Sequence, residues 1–422
     1  MNTPRPTLRI PQRLNIQPEH HLRSFTTSPP SRQESTTKTT PPPLPLSGTL
    51  VISLEQAISA PLCTRHLADL GARILKIERP LTGDFNRHHD SRVKGQCSHF
   101  VWTNRSKESV CLDLKSPKDL AALKVLIGKA DVFVQNLAPG ATERLGLGYA
   151  VLKGLNEGLV VCDVSGYGGS GPYRDKKAYD LLIQAESGIL STTGTPSSPA
   201  KAGTPIADIA AGTTALTAIL SALLLRQKTG QGSHLDISML ESMAEWMSFP
   251  LYYAYDGQDP PPRAGAEHAS IYPYGPFKTG GGGTVMLGMQ NEREWKVFCT
   301  EILEDEALID DERFSDTATR SRNRVELKSI IEEKFKSFEA DEMLEKLQRA
   351  GIANAKLNEM GDVWGHPQLE ARGRWTEVET VKGKIPALKP AGHGVGWEVR
   401  MDPIPDIGEH TEAVFKEFGI ER

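Results

Sequence analysis

Apolar side chains recur at helical spacing along residues 202–225. Asp208 is the only charged residue in this stretch, and the other positions are apolar, small or hydroxyl-bearing. Isoleucine and leucine fall at steps of three and four residues, which is the period of a helix. Thr204 suits the cap of such a helix, Pro205 its first position and Gly230 its end. The pattern predicts an almost wholly buried helix with a lone carboxylate in its first turn.

The carboxylate of Asp208 has two explanations from the residues alone. The first turn of a helix carries the positive end of the helix dipole, which favours an ionised carboxylate by about 0.3–1 kcal/mol. An Asp that only matches this dipole is a sufficient account, and a functional carboxylate is the alternative. A membrane span is not favoured, because uncharged residues run only from Ile209 to Leu225. Small and hydroxyl side chains dilute that run: Gly212, Thr213, Thr214, Thr217 and Ser221.

Short apolar runs alternate with helical patterns through the first half of the chain. Strands are predicted at residues 48–54, 72–77, 109–114, 131–136, 158–165 and 234–239, and helices at 59–70, 116–129, 141–145 and 180–190. This alternation predicts an α/β fold, a parallel sheet with helices on both faces. Ligands of such sheets bind beyond the carboxyl ends of the strands. The first strand–helix unit lacks GxGxxG, so the dinucleotide fingerprint is absent.

The second half of the chain has more helical patterns and fewer strands. Helices are predicted at 241–253, 293–303, 322–336 and 340–350, with a strand at 284–289. The glycine run 280–283 before that strand predicts a hairpin turn. We expect a large domain from residues 47–230 and 340–422 and a small domain at 245–335, joined by linkers. Short strands precede a last helix that is capped by residues 407–411.

Composition narrows the function classes. Of the 422 residues, 38% are hydrophobic and 24% are charged, which is typical of a soluble globular protein. The net charge of −4 argues against a general nucleic-acid binder, so no nucleic-acid partner is expected. The five cysteines form no CxxC pair and no Cys/His cluster in the sequence, so neither a zinc site nor a disulfide framework is indicated.

The first 46 residues have a different composition from the rest. They carry six basic and two acidic residues among many Ser, Thr and Pro, without an apolar run. This composition is typical of a mitochondrial transit peptide, and residues 23–26 (RSFT) resemble a matrix-protease site cut after Phe25. The prediction is a protein of the mitochondrial matrix; a disordered tail without a targeting role is the alternative.

Eight short motifs, each weak alone, occur together in one order. They are DLGARILKIERP (69–80), LDLKSP (112–117), NLAPGATERLG (136–146), SGYGGSGPY (165–173), AYD (178–180), PIADIAAG (205–212), RQKTGQG (226–232) and IGEHT (407–411). In this order they resemble the class III CoA-transferases, the family of formyl-CoA:oxalate and carnitine CoA-transferases. The resemblance runs from about Gly48 to the C-terminus.

The resemblance implies an architecture and a chemistry. We expect a Rossmann-like large domain with a parallel sheet, a smaller α+β domain, and two chains interlocked as a ring-like homodimer with CoA between them. Asp208 matches the family's catalytic aspartate, which forms an anhydride and then a thioester with CoA. Coenzyme A and acyl-CoA are substrates, the other partners are small carboxylic acids, and no metal or permanently bound cofactor is expected.

Further site residues follow from the resemblance. Positions that line the CoA site in the family match Arg79, Leu112, Asn136, Arg144 and Lys177. The cations among them can meet the CoA phosphates, or they are solvated surface charges. Tyr179 and Asp180 match an active-site Tyr–acid pair, although Asp180 can equally be a plain helix cap.

Two positions bear on the acceptor acid. Ile58 stands where formyl-CoA:oxalate enzymes have a glutamine, which counts against an oxalate-specific enzyme. The loop at residues 265–270 is expected over the active site, with His268 as a substrate contact. The sequence looks most like mitochondrial succinyl-CoA:dicarboxylate transferases. The candidates for a distal carboxylate site are Arg87, Arg105, Arg263 and His268.

Two other functions share this fold. The 2-methylacyl-CoA racemases pair the aspartate with a histidine, and Tyr179 stands at the position of that histidine. Tyrosine has an ordinary pKa near 10, which makes it a poor base at neutral pH. A CoA-binding protein without catalysis is the third reading, and the presence of Asp208 disfavours it.

Overall fold

The chain folds around one parallel sheet and a smaller antiparallel one. The computed structural model describes residues 43–392 and 396–421. Its strands are β1 (Leu50–Leu54), β2 (Arg73–Glu78), β3 (Lys107–Cys111), β4 (Val132–Gln135), β5 (Val160–Ser165), β6 (Gly194–Thr195), β7 (Ser198–Pro199), β8 (Ser233–Ser238), β9 (Tyr274–Lys278), β10 (Thr284–Gly288), β11 (Ala353–Lys356), β12 (Trp375–Val378) and β13 (Ile385–Leu388).

Helices separate most of these strands. They are α1 (Ser59–Asp69), α2 (Ser98–Thr103), α3 (Pro117–Gly128), α4 (Ala141–Arg144), α5 (Tyr149–Leu155), α6 (Asp180–Glu186), α7 (Ile189–Thr192), α8 (Ile206–Thr229), α9 (Met239–Trp246), α10 (Ser248–Tyr253), α11 (Glu292–Val297), α12 (Thr317–Arg322), α13 (Arg324–Phe335), α14 (Ala340–Arg349), α15 (Met360–Trp364), α16 (Pro367–Ala371) and α17 (Thr411–Phe418).

The six strands of the parallel sheet lie in the order β3-β2-β1-β4-β5-β8. The strand order reverses between β1 and β4, where Leu54 is paired with Gln135. Such a reversal opens a crevice at the carboxyl ends of the two strands, because their following connections leave toward opposite sides. The predicted parallel sheet is confirmed, and its reversal point marks where a ligand site is expected.

Alternating side chains of the sheet face two separate cores. Val51 and Ile74 face one core, which α1, α8 and α9 cover. Ile52 and Leu75, one residue further along each strand, face the other core, which α3, α5 and α17 cover. The period of two along each strand places helices on both faces, as the sequence pattern predicts.

A second lobe has its own core, from Tyr272 to Ile352. Its antiparallel sheet, β11-β10-β9, contains the predicted hairpin, with the glycine turn between β9 and β10. Gly281 and Gly282 in this turn have positive φ angles of 61° and 83°, which glycine adopts without strain. The core of this lobe includes Met343 and Leu347 on α14. The predicted domain boundaries stay a prediction, and this core extends beyond residue 335.

Helix α8 differs from its prediction in two ways. It begins one residue later, because Pro205 occupies the cap position and no side chain of its own caps the helix. It is also not wholly buried: Leu224 and Leu225 are 61% and 53% exposed, and its threonine face is open.

By length and composition α8 could cross a membrane, but core helices pass the same test, and its other face is packed in the sheet core.

Two smaller predictions need adjustment. The helix predicted at 241–253 is two helices, α9 and α10, which meet at Met247.

The predicted transit peptide lies outside the described residues, apart from residues 43–46. Leu46 within that overlap is buried, and its backbone N–H donates to the carbonyl of Leu70. The large-domain fold therefore includes residues before 47.

Candidate active site

Two hydrogen bonds of one side-chain amide link the ends of β1 and β4, where the strand order reverses. Asn136, directly after β4, accepts from the backbone N–H of Gln56 at 2.8 Å and donates to the carbonyl of Gln56 at 2.7 Å. The same Asn136 nitrogen lies 3.5 Å from the hydroxyl of Ser59, the first residue of α1. Asn136, predicted as a CoA-site residue, therefore fixes the turn between β1 and α1.

Asp208 lies in the first turn of α8, and Asp180 supplies the cap that this helix lacks. One carboxylate oxygen of Asp180 accepts from the backbone N–H of Ala207 at 2.8 Å and from that of Asp208 at 3.2 Å. The other accepts from the Gln184 amide at 2.6 Å. Asp180 thus caps α8 and not the helix that it begins. Whether it also acts with Tyr179 as an active-site pair stays a prediction.

The surroundings of Asp208 hold its carboxyl close to neutrality. Burial raises its pKa from the ordinary 3.8 to about 7, and the negative charge of Asp180 raises it as well. The hydroxyl and backbone N–H of Ser59 act in the opposite direction. The expectation that the helix dipole favours the ionised form is outweighed here, because burial is the larger effect.

A glycine lets α1 and α8 approach closely at this point. A Cβ at Gly212 would lie 2.6 Å from the backbone carbonyl oxygen of Ser59 and 3.3 Å from the Cβ of Leu62. Gly212 is one helical turn after Asp208, so this contact fixes the distance between the start of α1 and the carboxyl of Asp208. A side chain at this position would push the two helices apart.

A cavity of about 570 Å³ opens at the carboxyl ends of β1 and β2. Leu54, Leu112 and Leu137 form apolar walls, and two exposed cations, Arg79 and Lys115, line it as well. Sequence reasoning named Arg79 and Leu112 but missed Lys115, although Lys115 stands in the LDLKSP motif. Gln56 also lines the cavity, and its hydrogen bonds to Asn136 connect the cavity to Ser59 at the start of α1.

The other predicted site residues are distributed unevenly. Ile58 is buried and directly precedes α1. Arg144 and Lys177 are exposed, and Tyr179 is 71% exposed at the start of α6. In the described structure Asp180 contacts the backbone of Asp208, Ile58 and Asn136 lie beside Ser59, and the other three residues are on the surface.

The candidates for binding a distal carboxylate already have partners. Arg87 pairs with Glu78 at 2.7 Å and Arg105 with Asp69 at 2.7 Å, both in buried surroundings. Arg263 donates to the backbone carbonyls of residues 195 and 196.

His268 is held within its own loop. Its Nδ1 accepts from the N–H groups of Ser270 and Ile271, and its ring stacks on Tyr274. These contacts order the predicted loop, and the role of His268 toward a substrate stays a prediction.

One group of metal-type ligands is brought together that the spacing analysis missed. One ligand atom from each of Asp90, Cys97 and His99 lies within 4.8 Å of the others. Asp90 already accepts from the N–H and hydroxyl of Ser98 and from the Cys97 thiol, so its carboxylate serves the start of α2. The sequence argument against a Cys/His cluster is therefore wrong in space, and these bonds account for the carboxylate without an ion.

Comparisons with known proteins agree with the fold and the motifs. CoA-transferase family III matches residues 46–411. A Homo sapiens protein named succinyl-CoA:glutarate CoA-transferase is 32% identical over 377 residues, 88% of this chain and 86% of the relative. An Acetobacter aceti protein named acetyl-CoA:oxalate CoA-transferase is 32% identical over 386 residues, 90% of this chain and 98% of the relative. A solved structure of a CAIB/BAIF family protein from Brucella suis has a TM-score of 0.81 at 29% identity and covers 89% of this chain and 100% of that one.

Proposed function

This chain belongs to CoA-transferase family III, and we propose that it moves CoA from an acyl-CoA donor to a dicarboxylic acid through Asp208. The single observation that carries the proposal is the position of Asp208. It is a half-buried carboxyl in the first turn of α8, hydrogen-bonded through its N–H to Asp180, and the N–H and hydroxyl of Ser59 lower its pKa.

We propose succinyl-CoA as the donor and a dicarboxylic acid larger than oxalate as the acceptor. Similarity to relatives named for succinyl-CoA with glutarate and for acetyl-CoA with oxalate supports a dicarboxylic acid. The apolar Ile58 before α1 disfavours oxalate, because a compact dianion gains nothing from an apolar contact.

The proposed reaction begins with the ionised carboxylate of Asp208. One of its oxygens attacks the thioester carbonyl carbon, the C–S bond breaks, and the electron pair leaves on the CoA thiolate. The thiolate attacks the acyl carbon of Asp208 in the resulting anhydride, which releases the donor acid and forms an aspartyl-CoA thioester. The acceptor carboxylate attacks that carbon and expels the thiolate, and the thiolate then takes the acceptor acyl group and restores Asp208.

Two features of the site suit these steps. The N–H and hydroxyl of Ser59 face Asp208, where they can donate to the oxygen that becomes negative on attack. The burial of Asp208 keeps water away from the anhydride, which hydrolysis would otherwise destroy. We assign the cavity beside β1 and β2 to the CoA nucleotide, with Arg79 and Lys115 toward its phosphates.

A panel of acids tests the function. Purified protein is incubated with succinyl-CoA and one acid at a time, and new CoA esters are identified by mass spectrometry. The proposal predicts transfer to glutarate-sized diacids and slow transfer to oxalate. Turnover of monocarboxylates alone would overturn the dicarboxylate assignment. Epimerisation of a 2-methylacyl-CoA would indicate a racemase, and CoA binding without turnover would indicate a non-catalytic protein.

Assembly and location belong to the same proposal. Exposed aromatic and apolar side chains on α10, together with Leu224 and Leu225 on α8, support a homodimer that covers them. The basic, Ser-rich composition of residues 1–46 supports delivery to the mitochondrial matrix. Light scattering of the purified protein tests the first statement, and imaging of residues 1–46 fused to a fluorescent protein tests the second.

A further inference from the structure

Four charged side chains lie buried beneath the turn that leads into α1. Glu55, Lys76, Asp84 and Lys107 are each no more than 3% exposed. Lys76 contacts Glu55 at 3.3 Å and Asp84 at 2.9 Å, and Lys107 contacts Glu55 at 2.7 Å. Glu55 and Asp84 also line the cavity that we assign to the CoA nucleotide, but none of the four takes part in the covalent steps, so their burial needs another explanation.

Stability alone does not account for these charges. Removing charged groups from water is costly, and apolar residues of similar size often stabilise a protein as well or better. Burial raises the pKa of Glu55, but Lys107 and Lys76 outweigh it, so its pKa lies below the ordinary value. Burial lowers the pKa of Lys107 to about 8, against the opposing charge of Glu55. Such a network is retained where it fixes one particular arrangement.

The arrangement that it fixes is the backbone of residues 56 and 57. Asp84 bonds Lys76 with one carboxylate oxygen and accepts from the backbone N–H of Ala57 with the other, at 3.2 Å. Asn86 donates to the carbonyl of Ala57 at 2.7 Å, and its own N–H donates to Asp84. Together with the bonds of Asn136 to Gln56, every backbone polar group of these two residues is held by a side chain.

Ala57 needs this support because its φ is +65°. In this left-handed region the Cβ of an L-residue crowds the backbone, so the conformation persists only where neighbours impose it. Two residues later, Ser59 begins α1; its carbonyl packs against Gly212, one turn after Asp208, and its N–H and hydroxyl lower the pKa of Asp208. The strained turn therefore sets the direction in which the N–H and hydroxyl of Ser59 point.

The network also forms hydrogen bonds to the first two turns of α1. The ammonium of Lys107 donates to the carbonyl of Pro61 at 2.9 Å. The hydroxyl of Thr64 donates to Glu55 at 2.6 Å. The start of α1 is thus tied to the network both through Ala57 before it and through Pro61 and Thr64 within it.

We propose that Asp84, supported by Lys76 and Glu55, is a positioning residue that holds the turn at Ala57 so that Ser59 donates to Asp208. This inference rests on the proposed role of Asp208. The charge of Asp180 raises the pKa of Asp208, and Asp180 belongs to α6. Among the described residues, no hydrogen bond or ion pair joins α6 to Glu55, Lys76 or Lys107. A change at Asp84 therefore reaches Asp208 through α1 and Ser59.

The test compares Asp84→Asn with Asp69→Asn in the full chain. Asp69 is an equally buried carboxylate, bonded to Arg65 and Arg105, but it lies at the other end of α1. Both variants should lower the melting temperature. Only Asp84→Asn should lower kcat, by about tenfold. It should also move the acid limb of the kcat/KM–pH profile to higher pH, because Asp208 loses the Ser59 donors that lower its pKa. Equal effects of the two variants on the pH profile would overturn the proposal.

Hydrogen exchange provides a readout that does not depend on turnover. Backbone amides of residues 56–62 should exchange faster in Asp84→Asn and unchanged in Asp69→Asn. Asn86→Ala removes the second bond to Ala57 and should show the same pattern if Asp84→Asn does not fold. Unchanged exchange in both Asp84→Asn and Asn86→Ala would overturn the inference. If Asp84→Asn exchanges faster but the wild-type protein itself transfers no CoA, the proposed function has failed and the support of the turn at Ala57 has not.

Discussion

A carboxylate oxygen of Asp180 lies 3.2 Å from the backbone nitrogen of Asp208 and accepts its N–H. This bond caps α8 and at the same time places a negative charge beside the carboxyl of Asp208, whose pKa is raised. A nucleophilic carboxylate with a pKa near the working pH is more basic than an ordinary one, and basicity favours attack on a thioester. Asp180 therefore caps α8 and, through the same contact, makes the carboxylate of Asp208 more basic.

The pH profile of CoA transfer should show this arrangement. Because Asp208 must be ionised to attack, kcat/KM should rise with pH through about 7. Asp180→Asn removes the charge that raises this pKa, so the acid limb should move to lower pH while kcat falls, since the nucleophile becomes less basic. Steady-state kinetics across pH measure both effects. An acid limb in Asp180→Asn that stays in place would contradict this account.

Ionised Asp208 should also lower the stability of the free protein. Its folded pKa of about 7 lies above the unfolded value, so the stability it contributes is fully present below about pH 4 and is lost as pH rises through about 7. The full loss corresponds to about 4 kcal/mol in the free energy of unfolding. Asp208→Asn should therefore gain more in melting temperature over the wild type at about pH 8 than at about pH 5, where only part of the stability has been lost. Calorimetry at the two pH values decides; equal gains at both would point to a different cause.

The contact of α1 with α8 predicts an effect of a single methyl group. Gly212→Ala would place a Cβ 2.6 Å from the Ser59 carbonyl, so the helices must separate, and Ser59 should move from Asp208. We expect a loss of about 1–3 kcal/mol in stability and a lower kcat. Gly154→Ala is the matched control, because Gly154 lies in α5 with open space at its Cβ. Denaturation and steady-state kinetics measure the pair; a Gly212→Ala enzyme as stable and active as Gly154→Ala would be inconsistent with tight packing here.

Lys115 should contribute to CoA binding and not to the chemical step. It lines the cavity at the carboxyl ends of β1 and β2 and can meet a CoA phosphate. Lys115→Ala should raise KM for succinyl-CoA by about tenfold with kcat little changed. Lys118→Ala, an exposed lysine on α3 outside the cavity lining, should leave KM unchanged. If both variants behave alike, the nucleotide does not occupy this cavity.

The sequence predicts the features that local pattern and motif carry, and it misses those that depend on distant contacts. Strand alternation predicts the parallel sheet, and a lone Asp in an apolar helix marks Asp208. The cap of α8 was not predictable from spacing, because Asp180 lies 28 residues away along the chain. From the sequence alone, Lys107 is expected on the surface. The fold buries it against Glu55, which lies 52 residues away along the chain.

The exposed face of α8 marks a different limit. Its leucines fit a buried helix in the sequence, and Leu224 and Leu225 are nevertheless exposed in the single chain. Hydrophobicity predicts that a side chain leaves water, but it does not say whether its own chain or a second copy covers it.

The most direct test of the central claim is to trap the enzyme during turnover and locate the modified residue. Protein incubated with succinyl-CoA is quenched with hydroxylamine, digested and analysed by mass spectrometry, with Asp208→Asn as the control. The account predicts a hydroxamate on the peptide that contains Asp208, none in Asp208→Asn, and a loss of about three powers of ten or more in the activity of that variant. A modification on another residue, or near-full activity of Asp208→Asn, would contradict it.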